Sequence, residues 1–301
     1  MKGRYANLRR IETLDPEVDH DEIYRLVAYY EFPWEVVQGT SIAFMRDYGV
    51  PTISDLLDRT GRFRKDGQKR YDDTVLIGYE YAVDGIDSER ARASIRRLNQ
   101  IHGHYGIPNH EFRYVLATTL VGPVRFIQRY GWRPLHPNEV AALTLVTGRL
   151  GQLMGIKDLP ATYAEYEQLH DDYEAEHFSQ DPANTRVAEA SIKIVADWYP
   201  PLVRPLYRRI ALALLDRPLL GALGLPEQPA WLVALVDRAL RLRGRVVRLL
   251  PPRAPDNPYR HDAGRTYPFG YTIADLGPHD HSGELHANAR FTHGTTTLKG
   301  A

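Results

Sequence analysis

The chain has 301 residues, enough for one large domain or two modest ones, and 38 basic residues balance 38 acidic residues. A net charge of zero argues against a general nucleic-acid binder, because neutralising phosphates normally requires a basic surplus. The absence of cysteine excludes disulfides, thiolate catalysis, iron–sulfur clusters, cysteine zinc sites and covalently attached c-type haem.

Helical periodicity dominates the sequence. The polar residues 1–13 lack the apolar core of a signal peptide, and no run of 18 apolar residues occurs, so we expect no membrane span and a cytosolic protein by default. Apolar residues recur at spacings of three and four, which predicts an all-α, compact multi-helix body over residues 1–252. The predicted helices are 20–30, 35–48, 53–59, 69–84, 88–105, 110–130, 138–154, 162–178, 185–198, 202–220 and 229–248.

Two of these helices have recognisable starts. Thr162 and Glu165 form a capping-box pattern, in which each side chain bonds the backbone N–H of the other residue. Asn138 precedes Glu139 at the head of a strongly apolar helix, which is also a helix-start pattern.

A possible anion-binding pair lies in the predicted helix 69–84. Arg70 and Thr74 are four residues apart, so they share one helical face. Thr74 leads into an apolar stretch, which directs this face inward. A buried arginine needs an anionic partner, such as a phosphate, a cofactor propionate or a carboxylate. A structural salt bridge to a nearby Asp or Glu therefore remains an equal alternative.

A histidine on the predicted helix 88–105 is the second candidate. At about 100° per residue, His102 falls on the same side as Ala91, Ile95 and Leu98, whereas His104 falls nearly opposite. A buried imidazole needs a partner for each ring nitrogen, so His102 is either a satisfied core histidine or a metal ligand.

Residues 202–250 are strongly basic. They contain nine arginines and three acidic residues between apolar segments. One interpretation is peripheral contact with an anionic membrane. The other is that the arginines extend from a buried helical pair and meet the acidic residues of 165–176.

The remaining residues, 253–301, are rich in Pro, Gly, His and Asp, which predicts an extended or partly disordered tail. The aromatic stretch 267–271 is a candidate for docking back on the body. Four histidines lie within residues 279–293 of the tail, where flexible surroundings favour a solvated segment over a metal site: His279, His281, His286 and His293.

Several short motifs are informative when taken together in their order. They are Tyr48-Gly-Val-Pro-Thr-Ile-Ser-Asp-Leu-Leu57, Lys69-Arg-Tyr-Asp-Asp-Thr74, Arg97-Leu-Asn-Gln-Ile-His102, Asn109-His-Glu-Phe-Arg-Tyr-Val-Leu116, Gly131-Trp-Arg-Pro134, Asn138-Glu139 and Gly151-Gln-Leu-Met-Gly155. Over residues 35–200 the series resembles the MpaB-type oxygenases, distant relatives of the latex-clearing rubber oxygenases. The resemblance implies an all-helical fold around a non-covalent haem b with one histidine on iron. It also implies oxidative cleavage, by dioxygen, of a C=C bond in a hydrophobic terpenoid or polyisoprenoid substrate.

Carried over by position, the resemblance places the iron-binding histidine at His102, with His104 as the alternative, and the haem-flanking pair at Arg70 and Thr74. Rubber oxygenases have a lysine before that threonine. This chain has Asp73 there, so the resemblance does not imply a lysine-capped sixth iron position, which argues against activity on rubber. For the catalytic base, the sequence offers only the candidates Glu80 and Glu139.

Two other functions are compatible with the sequence. A di-iron carboxylate site would use Glu-x-x-His pairs, and Glu17 with His20 and Glu174 with His177 have this spacing. Both pairs lie in polar stretches, which argues against this site. A non-enzymatic lipid or isoprenoid carrier, docked on membranes through residues 202–250, is the second alternative.

Overall fold

The computed structural model describes residues 3–259 and 265–278, and this part of the chain contains α-helices and no β-strand, as predicted. The fourteen α-helices of these residues are α1 (Ala6–Ile11), α2 (Pro16–Leu26), α3 (Pro33–Asp47), α4 (Pro51–Thr60), α5 (Arg62–Lys65), α6 (Gly67–Val83), α7 (Glu89–His102), α8 (Asn109–Tyr130), α9 (Pro137–Leu153), α10 (Tyr163–His177), α11 (Pro182–Ala196), α12 (Arg204–Ala213), α13 (Arg217–Leu223) and α14 (Ala230–Leu249). A π-helical turn, Val27–Glu31, follows α2.

The long helix α8 is the centre of the body and packs against α3, α9, α10 and α14. Its fully buried side chains recur at three- and four-residue spacing, so one continuous stripe faces the core. They include Tyr114, Ala117, Val121, Val124 and Ile127. This stripe joins the main hydrophobic cluster with residues of α2 and α9.

The crossing of α3 and α8 is unusually close because glycines stand on both sides of it. A Cβ atom on Gly39 would lie 2.5 Å from the Cα of Pro123, and one on Gly122 would lie 2.9 Å from the carbonyl oxygen of Gly39. Only glycine, which has no Cβ atom, allows the two backbones to approach this closely. Helices α3 and α8 both line an internal cavity of the body, so the crossing fixes the position of two of its walls.

Capping residues mark where helices α9 and α10 begin. The capping box of Thr162 and Glu165 at the start of α10 is confirmed. The start of α9 differs from the expectation, because His136 caps the helix and shares the capping box with Glu139, whereas Asn138 bonds the carbonyls of Ile11 and Leu14.

The structure corrects three predicted helices. The predicted helix 202–220 is two helices, α12 and α13, because Asp216 caps a new start at the backbone N–H of Leu219 and Pro218 disfavours continuation. The first predicted helix begins earlier, at Pro16, behind the cap Asp15. The predicted helix 88–105 ends at His102, before Gly103. The short helices α1 and α5 were not predicted.

Residues 265–278 dock on the body, as expected from their aromatic side chains. Tyr271 and Leu276 are buried, and the Lys69 ammonium donates to the carbonyl oxygens of Asp275 (3.0 Å) and Gly277 (2.9 Å). The domain boundary after residue 252 stays a prediction. His279, His281, His286 and His293 lie outside the described residues.

Candidate functional site

A cavity of about 620 Å³ lies inside the helical body, within the range of about 300–1,000 Å³ that ligand sites occupy. Helices from both halves of the chain form its walls, chiefly α3, α4, α6, α7, α8, α11 and α12. Most of the lining is apolar, and includes Met45, Leu57, Val115, Ile192 and Leu214. The few polar groups on this lining therefore identify the chemistry of the site.

His102 lies on this lining, at the C-terminal end of α7, as the helical wheel predicted. Its ring packs beside Phe112, with centroids 5.3 Å apart, and Nδ1 is buried without a hydrogen-bond partner. Burial, helped by the nearby Arg70 charge, lowers the pKa of His102 to about 4. The imidazole is therefore neutral at physiological pH, which is the form that binds a metal.

No acceptor fixes the tautomer of His102 within the described residues, although metal-bound histidines usually have one. His104, the alternative ligand, is exposed and does not line the cavity. Its Nδ1 lies 2.6 Å from the carbonyl oxygen of Gln100, one turn earlier. The two histidines therefore have different surroundings, and only His102 faces the cavity.

Arg70 and Thr74 also line the cavity, from α6. The Arg70 guanidinium donates to the Thr74 hydroxyl, which in turn donates to the Arg70 carbonyl oxygen (2.9 Å). Neither neighbouring acid pairs with Arg70, because Asp73 binds Lys69 (2.8 Å) and Asp72 accepts from the Thr266 hydroxyl (2.6 Å).

Within the described residues the Arg70 guanidinium has no carboxylate partner, so the alternative of a structural salt bridge finds no support there. A cation directed at an apolar cavity without a counterion is a binding feature for an anionic group.

Neither candidate for the catalytic base reaches the cavity. Glu80 is buried between Arg90 and Tyr271, whose Nη2 and hydroxyl lie 2.7 and 2.5 Å from the carboxylate. Glu139 is fully buried and binds Arg133 through two hydrogen bonds of 2.7 and 2.8 Å. Both carboxylates neutralise arginines of the body, so the structure gives them a structural role.

Two buried carboxyl groups that the sequence analysis missed do line the cavity, namely Asp47 of α3 and Glu111 of α8. Both are buried, and Asp47 accepts a hydrogen bond from the Thr118 hydroxyl (3.0 Å). Burial raises the pKa of Asp47 well above its ordinary value, and the nearby Glu174 adds to this effect. Asp47 therefore holds its proton to a higher pH than an exposed aspartate. Its place beside the Tyr48-Gly-Val-Pro motif was the available signal.

The di-iron alternative does not find its ligands in the described part of the chain. There, no group of three or more His, Asp or Glu side chains is arranged to hold a metal ion. Glu174 instead binds Arg46 (2.6 Å from Nε) and His170 (3.0 Å from Nε2), and His177 stacks on Tyr173 at 3.9 Å.

The arginines of residues 202–250, the basic segment, have other partners than one of the two interpretations predicted. None of its arginines pairs with the acids of residues 165–176 in the described structure. Those that form ion pairs bind Asp197, Glu189, Glu227, Asp237 and Glu35. Among the described helices, none combines the length and the hydropathy needed to cross a bilayer.

Comparison with known proteins agrees with the ordered motifs. Residues 43–249 match the family described as "ER-bound oxygenase mpaB/B'/Rubber oxygenase, catalytic domain". The chain is 31% identical to ER-bound oxygenase mpaB' of Penicillium brevicompactum, in an alignment of 252 positions that covers 77% of this chain and 59% of that relative.

Two further relatives are named ER-bound oxygenase mpaB. The protein of P. brevicompactum is 33% identical over 59% of this chain and 50% of its own length. The protein of Penicillium roqueforti (strain FM164) is 31% identical over 61% of this chain and 68% of its own length. The chain thus spans between half and about two thirds of these relatives, and the family match covers the cavity-lining helices from the last turn of α3 to α14. The chain belongs to the mpaB/B' and rubber oxygenase catalytic-domain family.

Proposed function

We propose that this protein is a haem b-dependent oxygenase in which His102 binds the iron. The observation that carries the proposal is the pairing of two groups on one apolar cavity lining. One is a neutral imidazole without a hydrogen bond, and the other is a guanidinium without a counterion in the described residues. Bound haem presents complementary groups, an iron that takes a neutral imidazole and propionates that pair with arginine.

The residues present fit this cofactor. His102 would hold the iron, and Arg70 would bind a propionate, oriented by its hydrogen bond to Thr74. The haem supplies the oxygen chemistry, so the protein needs few reactive side chains of its own. The apolar lining excludes water and binds the substrate, while Asp47, whose pKa is raised by burial, holds its proton to a higher pH than an exposed aspartate.

We propose a hydrophobic substrate with a C=C bond, of terpenoid or isoprenoid type, which the enzyme cleaves with dioxygen. The relatives are named oxygenases, and the cavity lining is largely apolar, as a substrate of this kind requires.

A non-enzymatic lipid carrier would share the apolar cavity and the basic segment. It would have no use for a neutral imidazole like that of His102 beside Arg70, because a lipid, even one with an anionic headgroup, offers no metal to bind. The polar pair therefore favours the oxygenase.

The test is the absorption spectrum and the pyridine haemochrome assay of the full chain expressed with sufficient haem. We expect about one haem b per chain in the wild type and in His104→Ala, and loss of haem in folded His102→Ala. We also expect Arg70→Met to weaken haem binding by about 10- to 100-fold, because a charged hydrogen bond is lost.

A folded, colourless wild type would refute the cofactor assignment. Loss of haem in His104→Ala with retention in His102→Ala would instead move the iron ligand by two residues. Circular dichroism of each variant shows whether loss of haem reflects loss of the fold.

A further inference from the structure

Exposed apolar side chains are concentrated in one part of the molecule. Of the fifteen large apolar residues that are exposed in the described structure, twelve lie between residues 199 and 250. Leu202, Leu206 and Leu249 are 95%, 54% and 85% exposed. Scattered exposed apolar residues are normal, but a concentration of this kind marks an interaction surface.

Helix α14 carries the longest part of this surface. Five exposed apolar side chains fall within an arc of about 60° when the helix is viewed along its axis, in a stripe about 27 Å long. These side chains, which we call the α14 stripe, are Trp231, Leu235, Leu242, Val246 and Leu249. The opposite face is buried and includes Val236 and Gly244, where an added Cβ would lie 2.6 Å from the carbonyl oxygen of Tyr130. The stripe therefore points away from the body.

Arginines lie along one edge of the α14 stripe. Arg238 and Arg245 are about 20–40° from the stripe and Arg248 is about 100° from it, and none of the three forms an ion pair with a described residue. The three acidic residues of this region are already engaged. Asp216 binds Arg46, Glu227 binds Arg217, and Asp237 binds Arg129 and Arg241. The surface therefore offers positive charge that no described residue neutralises.

We propose that α14, together with the neighbouring α12, docks on an anionic lipid bilayer, with the α14 stripe in the acyl boundary and Arg238, Arg245 and Arg248 at the headgroups. The combination of an apolar stripe and a basic edge is that of a helix lying in the membrane interface. Helix α14 is not apolar enough to cross the bilayer, so it lies along the surface.

The docking surface is directly connected with the cavity. Helices α12 and α14 pack together, and their inner faces contribute Tyr207, Leu214, Val236 and Leu240 to the cavity lining. A docked protein would thus hold the cavity one helix away from the bilayer, where an isoprenoid-like substrate is concentrated. This part of the inference rests on the proposed function.

A second copy of the chain is a poorer occupant of the same surface. Two stripes packed together would bring the arginine edges into proximity, and the surface has no unengaged acidic residue to neutralise them. Anionic phospholipids supply the missing charge.

The test is co-sedimentation of the full chain with vesicles of phosphatidylcholine alone and with vesicles that also contain about 30% anionic phosphatidylglycerol. We expect binding to the anionic vesicles that weakens with salt. The double variant Arg245→Gln/Arg248→Gln should bind about 25-fold more weakly, at about fivefold for each arginine neutralised. Leu235→Ser/Leu242→Ser should bind at least roughly tenfold more weakly.

The controls are Arg96→Gln, which removes an exposed arginine of α7, and Val18→Ser, which removes a 75% exposed apolar side chain of α2. Neither should change the vesicle binding. Absence of binding by the wild type, or equal binding by all variants, would overturn the proposal. Sedimentation as a dimer that the stripe variant converts to a monomer would also overturn it, since the occupant would then be a second copy.

The vesicle assay does not depend on haem. A chain that binds vesicles but not haem would disprove the proposed function alone, and a chain that binds haem but not vesicles would disprove the docking surface alone.

Discussion

The crossing of α3 and α8 leaves no room for a methyl group at Gly39. A Cβ atom there would lie 2.5 Å from the Cα and 2.9 Å from the backbone nitrogen of Pro123. Ordinary contact begins near 3.4 Å, so Gly39→Ala requires the helices to separate by about 1 Å. Because the obstructing atoms belong to the backbone, no side-chain rotation relieves the contact.

Two opposing effects determine how much Gly39→Ala changes the free energy of unfolding. Alanine stabilises a helix interior relative to glycine by about 0.5–1 kcal/mol. Overpacking costs about 1–3 kcal/mol, and a backbone obstruction places Gly39→Ala near the upper limit. We therefore expect the free energy of unfolding to fall by about 2 kcal/mol. At about 2–4 °C per kcal/mol, the Tm should fall by roughly 4–8 °C.

The matched control is Gly221→Ala in α13, where an added Cβ meets nothing within 4 Å. This substitution should raise the free energy of unfolding by about 0.5–1 kcal/mol, because only the helix preference changes. Thermal and urea unfolding followed by circular dichroism measure both variants. If Gly39→Ala is as stabilising as Gly221→Ala, the helices do not approach as closely as described, and the position of the cavity walls is wrong.

Two further predictions concern the buried charges. Arg133→Met should lower the free energy of unfolding by about 3–5 kcal/mol in urea titrations, because it leaves the buried carboxylates of Glu31 and Glu139 without their main cation. Glu139→Gln should lower it by less. Loss of the proposed oxygenase activity in a fully stable Glu139→Gln would contradict the structural role of Glu139. Burial raises the pKa of Asp47, so its stabilising contribution is complete below the ordinary aspartate pKa of about 4 and is lost as the pH rises through the native value. In thermal unfolding, Asp47→Asn should therefore gain stability relative to the wild type as the pH rises above about 4. A stability difference that does not change with pH above this value would show that Asp47 does not titrate as described.

Much of the secondary structure and part of the site could be predicted from local patterns. The inward direction of His102 followed from the helical period, and the shared face of Arg70 and Thr74 followed from their four-residue spacing. The capping box of α10 could be predicted for the same reason, because Thr162 and Glu165 are three positions apart. These features depend on interactions within one or two turns of a helix, which the sequence shows directly.

Other features depended on pairs that are distant in the chain. Arg243 binds Glu35 across 208 positions, and Tyr271 binds Glu80 across 191, so no local pattern indicated that these carboxylates are engaged. The cavity position of Asp47 likewise requires the packing of α3 against α8.

The amino-acid sequence by itself determined that the chain is helical, where most of its helices lie, and which histidine and arginine turn inward, because helix formation and amphipathicity are set by near neighbours. Only the tertiary structure decided that these two side chains share one cavity, that Glu80 and Glu139 are used elsewhere, and that no described residue covers the α14 stripe. Those outcomes depend on which helices meet, and burial and charge pairing between distant segments are properties of the packed body.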